Sequence, residues 1–167
     1  MNLGEYRLKQ KFVGVTHKGK TIIFHIYEKP GANRLEPRWW LSAKLPRGKE
    51  IAALGVKRAP KLFPWQFHFS HYFKATQSKT GAGLALIAMG LLIAAKNNAP
   101  GMYLHQVDSG LLEKLVKEMN ATPTTTAVSG EGEYPAAYWT RKVLSKPTKV
   151  RQRWHNFLPR KSKKPQG

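Results

Sequence analysis

The residues best suited to chemistry lie between Gln77 and Lys96, QSKTGAGLALIAMGLLIAAK. Gly81 and Gly83 open a run of strong helix formers that carries almost no polar atoms. A glycine turn feeding a helix leaves backbone N–H groups pointing outward at the helix start. Together with the positive end of the helix dipole, those orphan donors suit a phosphate group. The turn at Gly81 and Gly83 is therefore the candidate anion-binding element. Just upstream, Pro64 to Phe73 alternates aromatic and polar residues and holds His68 and His71. From Ile51 to Val107 there is no acidic residue, so these histidines are the nearby side chains able to take a proton near neutral pH. On a strand of period two they fall on opposite faces. His68 shares the more polar face with Gln66, Ser70 and Tyr72, which makes it the first candidate base and His71 the second.

Other motifs carry less. Gly19-Lys20-Thr21 lacks the upstream glycine of a phosphate loop and runs into a strand pattern. The six histidines show no metal-ligand spacing, and no nucleophilic triad is visible. The absence of cysteine excludes a disulfide framework and a thiol nucleophile, and fits a cytoplasmic protein. The first residues, MNLGEYRLKQKF, form no signal peptide.

Charge points to the partner. The chain has 29 Lys and Arg against 9 Asp and Glu, a net charge of +20. That predicts attraction to a polyanion such as RNA or DNA. Both ends are basic. After Glu133 there are ten cations and no acid. From Lys146 the sequence loses periodicity and reads as a basic, flexible tail, residues 146–167. Its Lys146, Lys149, Arg151, Arg153, Trp154, Arg160, Lys161, Lys163 and Lys164 mix cations with an aromatic ring, a composition suited to phosphates and bases.

The elements that position these residues follow from patterning. Thr21–Glu28, Arg38–Leu45, Glu50–Lys57 and Pro64–Phe73 read as strands, and Tyr6–Val15 as a further one. A buried helix covers roughly 81–97, stopped by Asn97-Asn98-Ala99-Pro100-Gly101. Its apolar run, Ala82 to Ala95, would be about 21 Å long, short of the roughly 30 Å of a bilayer core. Met102–Val107 is a short strand. Gly110–Met119 is an amphipathic helix with Asp108 or Ser109 as cap and Asn120 at its end. Thr122–Val128 and Tyr138–Leu144 read as the last strands. The length of 167 residues suits one domain, 1–145, ahead of the tail.

This order, with its glycine turn after the fourth strand, resembles the GNAT acetyltransferase superfamily from roughly Thr21 to Leu144. In that family an Arg/Gln-x-x-Gly-x-Gly/Ala turn binds the pyrophosphate of acetyl-coenzyme A. Here Ser78-Lys79-Thr80-Gly81-Ala82-Gly83 aligns with it. Gly81 and Gly83 match, and Ser78 replaces the usual Arg or Gln. The resemblance implies an α/β fold: a mixed, mostly antiparallel twisted sheet with a central βαβ crossover and helices packed on it. It also implies acetyl-CoA as cofactor. Two features depart from the family. The usual strand-borne Glu base is missing, and Leu111 and Leu112 stand where a Tyr commonly protonates the leaving thiolate. Two functions are therefore expected. One is an acetyl-CoA-dependent N-acyltransferase acting on an amine of a polyanionic partner, such as a nucleic acid, a charged RNA or a ribosomal particle. The other is a non-catalytic nucleic-acid-binding or structural protein on a GNAT-like scaffold.

Overall fold

The computed structural model describes residues 4–33, 36–58, 67–73, 80–105, 107–128, 130, 132–145, 152 and 154–161. Among them nine strands form one sheet: β1 (Arg7–Val15), β2 (Thr21–Glu28), β3 (Trp39–Lys44), β4 (Glu50–Arg58), β5 (Phe67–Phe73), β6 (Gly101–Leu104), β7 (Thr122–Val128), β8 (Gly132–Thr140) and β9 (Arg160–Lys161). Their spatial order is β7-β8-β6-β5-β4-β3-β2-β1-β9. Neighbouring strands run antiparallel except β5 and β6, which are parallel and bridge only at Phe69↔Leu104.

A parallel pair needs a crossover, and α1 (Ala82–Lys96) provides it. This helix is apolar on nearly every side, so it is buried almost throughout its length. It covers the sheet face that carries Ile22, Phe24, Leu41, Ile51, Leu54 and Met102. Asn97 ends it, its side chain donating to the Ile93 carbonyl at 2.8 Å. Helix α2 (Ser109–Met119) follows β6. Asp108 caps it by accepting from the Leu111 N–H at 2.8 Å. Asn120, in the left-handed region at φ 60°, turns the chain out of it. Leu115 and Met119 are its buried anchors.

Three expectations are corrected. The chain is helical after Thr140, as α3 (Arg141–Ser145), where a strand was expected to Leu144. The Thr140 hydroxyl accepts from the Val143 N–H at 3.2 Å and starts the turn. The described part of the supposed tail is not a free appendage. Its β9 pairs with β1 at Gly14↔Lys161 and Val15↔Arg160. Trp154, expected to stack on bases, is instead 0% exposed in the core. Its indole N–H donates to the Met119 carbonyl at 2.9 Å, and the Trp139 indole donates to the same oxygen at 3.0 Å. A helix-end carbonyl has two lone pairs and no intrahelical partner, and here two rings satisfy it.

Candidate functional site

The glycine turn sits at the start of α1, beyond the end of β5. Gly81 adopts φ 76°, a conformation that only glycine enters at low cost. Thr80, Gly81, Ala82 and Gly83 are all buried. They lie beneath the tight turn between β1 and β2, residues 16–20. Thr16 donates its hydroxyl to the Thr80 carbonyl. The Thr80 hydroxyl accepts from the Ala82 N–H at 3.2 Å, and Ala85 N–H reaches the Gly81 carbonyl at 3.1 Å. The imidazole of His17 lies directly over Gly81. A Cβ at that position would come within 2.8 Å of His17 Cε1 and 3.1 Å of Lys18 Cγ. The α1 start is thus spanned by the protein's own turn, and Gly81 is needed for a close approach between two chain segments. Ser78 and Lys79 lie outside the described residues.

His17 is held on its other side by Phe157, edge to face at 4.9 Å between ring centroids. Its Nδ1 is buried with no hydrogen-bond partner among the described residues. Burial, then Lys18 and Lys114, lower its pKa below the usual histidine value, which keeps the ring neutral near pH 7. Sequence reasoning passed over this residue, because the partner of its turn, Thr80, lies 64 residues away.

The two candidate bases lie on β5, placed by backbone register. His68 pairs with Lys57 and His71 with Gly55. The ladder shifts between Gly55 and Val56, so Val56 pairs with Phe69 and one β5 residue has no partner. Another histidine, His105, follows β6 and packs edge-on against Tyr103 at 4.3 Å. Burial, with Lys57 contributing, pushes its pKa down to about 4.

The N-terminal half has a clear ionic pattern. Lys29 pairs with both Glu5 and Glu36, the latter at 2.8 Å, and Arg38 approaches Glu28 at 3.5 Å. Glu50 accepts from the Ser42 hydroxyl at 2.6 Å. The four acids of residues 1–50 are therefore all engaged. Arg7, Lys9, Lys11, Lys18, Lys20, Lys44, Arg47 and Lys49 have no carboxylate partner among the described residues.

Of the basic residues expected to bind nucleic acid, Arg160 is exposed on β9, and Lys161 lies beside it on the same strand. Lys146, Lys149, Arg151, Arg153, Lys163 and Lys164 lie outside the described residues. Among the described residues, no group of three or more His, Asp or Glu could hold a metal ion. No helix among them is long and apolar enough to cross a membrane. No family model matches the chain, and no curated protein matches it.

Proposed function

We propose that this chain is a non-catalytic nucleic-acid-binding protein built on a GNAT-like scaffold. The observation that carries the reading is the set of unpaired cations in the N-terminal half. Its acids are engaged by Lys29, Arg38 and Ser42, and eight cations from Arg7 to Lys49 make no ion pair among the described residues. Surface charge left uncompensated in this way attracts phosphate and releases its counterions. The buried glycine turn supports the same reading. The Thr80 carbonyl accepts from Thr16, the Ala82 N–H donates to the Thr80 hydroxyl, and His17 lies over Gly81, an arrangement suited to packing. The βαβ unit β5–α1–β6 inside an otherwise antiparallel sheet supports the scaffold assignment.

The test is binding of labelled nucleic acid by purified protein stripped of nucleic acid, at several salt concentrations. The expected result is a steep salt dependence. Lys18→Gln, Lys20→Gln and Arg160→Gln together should reduce the slope of log K by about 2, at roughly 0.7 per single-strand phosphate contact. Affinity independent of salt would overturn the reading.

The second reading is an acetyl-CoA-dependent N-acyltransferase. The parallel pair β5 and β6, bridged at Phe69↔Leu104 and joined through α1, favours it, since the glycine turn then lies at the start of the crossover helix. Calorimetry with acetyl-CoA separates the two: micromolar binding supports the enzyme, and no binding supports the scaffold.

A further inference from the structure

The sheet face turned away from α1 carries a second arrangement. Along β2, Ile22 and Phe24 are fully buried in the core, so Ile23, His25 and Tyr27 belong to the opposite face. Register extends that face over β1 and to Lys44 of β3, while Ser42 and Trp40 of β3, opposite His25 and Tyr27, are buried. Val13 lies opposite Ile23, which lies opposite Lys44. Lys11 lies opposite His25, which lies opposite Ser42. A bulge at Lys9 then brings Leu8 opposite Tyr27.

The surface so formed is unusual for a solvated sheet. The rings of His25 and Tyr27 lie nearly parallel, 12° apart in plane and 5.8 Å between centroids. Both are half-buried, so each still presents area to solvent. Leu8 and Val13 are 50% and 42% exposed, and both lie on this face. Exposed aliphatic groups beside flat rings mark an interaction surface. Lys11 and Lys44 stand on either side of His25 along the rows. Glu50, opposite Lys44, is the carboxylate on these rows, and its Oε2 is bonded to Ser42.

We infer that this face binds single-stranded nucleic acid, with bases stacking on the His25–Tyr27 pair and phosphates reaching Lys11 and Lys44. The inference rests on the nucleic-acid reading above and adds the surface and the strandedness. Flat rings offer π-faces to any unstacked base, whereas the bases of a duplex are already stacked on each other. Cations spaced along the same rows match a backbone that carries one charge per nucleotide. A lipid surface fits less well, because the apolar part is two aliphatic side chains on a flat sheet rather than an amphipathic helix. A second copy of the chain fits less well too. Beyond Gly14 and Val15, which pair with β9, the outer edge of β1 carries Arg7, Lys9, Lys11 and a bulge, features that oppose edge-to-edge pairing.

The test uses the full chain, freed of nucleic acid, with a fluorescent oligouridine of about 20 nucleotides and a duplex of about 20 base pairs as probes. The single strand should bind more tightly than the duplex. Tyr27→Ala should weaken single-strand binding about tenfold, the usual size for one lost stacking contact, and leave duplex binding unchanged. Tyr27→Phe, which keeps the ring, should restore it. Lys11→Gln with Lys44→Gln should lower the single-strand salt slope by about 1.4. Unchanged single-strand affinity in Tyr27→Ala, or an equal fall for both probes, would overturn the inference while the wider nucleic-acid reading stood. A Tyr27→Ala effect on oligomeric state in place of affinity would overturn it as well. Failure of both probes to bind would overturn both readings.

Discussion

His17 packs its ring edge-on against Phe157, 4.9 Å between centroids, and in that position closes over Gly81. One imidazole thus joins the β1–β2 turn, the start of α1 and the C-terminal segment. The arrangement explains why residue 81 is glycine. Its φ of 76° costs an L-residue about 1–2 kcal/mol, and a Cβ would also press on His17.

Gly81→Ala is therefore expected to destabilise the fold by about 1–3 kcal/mol in chemical denaturation. His17→Ala should recover part of that loss, since it removes the clash and leaves only the backbone strain. A double-mutant cycle should give a coupling above about 0.5 kcal/mol. Strictly additive effects would show that the two residues do not meet.

Gly14 plays the same part on the other side of the C-terminal segment. A Cβ there would press directly on the Cβ of Pro159 and lie 3.3 Å from the Phe24 ring. Gly14→Ala should cost about 1–3 kcal/mol by overpacking and lift β9 from β1. Limited proteolysis should then cut the C-terminal segment sooner than in the parent protein. Equal cutting rates would sink the idea that β9 depends on this contact.

Most of the fold was legible because its signals are local. The β-branched and aromatic content of Thr21–Glu28 marked β2, the apolar run after Gly83 marked α1, and Asp108 and Asn120 marked both ends of α2. The misread parts depend on distant contacts. Trp154 sits among Arg and Lys in sequence, and nothing nearby reveals that it packs under Met119, 35 residues away. The glycine turn was correctly placed, but the turn that covers it comes from the other end of the sheet order.

Trp139 and Trp154 share the Met119 carbonyl, which gives a prediction about additivity. Either tryptophan replaced by Phe leaves one donor in place, and the hydrogen-bond part of the loss should be about 1 kcal/mol. Replacing both leaves a buried carbonyl unsatisfied, so the double variant should lose more than the sum of the singles. Trp154→Phe should also leave nucleic-acid affinity unchanged, because the ring is in the core. A large fall in affinity without a fall in stability would instead support a stacking role.

Stability should fall on mild acidification. His105 has its pKa pushed down to about 4, and burial lowers those of His17 and His25 as well. An unfolded histidine titrates near 6.5, so between about pH 6.5 and pH 4 the unfolded chain binds more protons than the folded one. The contribution of these neutral rings is complete above about pH 6.5 and is lost as the pH falls toward the folded values. For His105, which is partly exposed, the loss should be on the order of 2 kcal/mol across that window. Urea denaturation at intervals from about pH 7 to pH 5 should show a steadily falling midpoint, with a shallower fall in His105→Gln. A midpoint that holds constant or rises over that range would contradict the burial of neutral histidines.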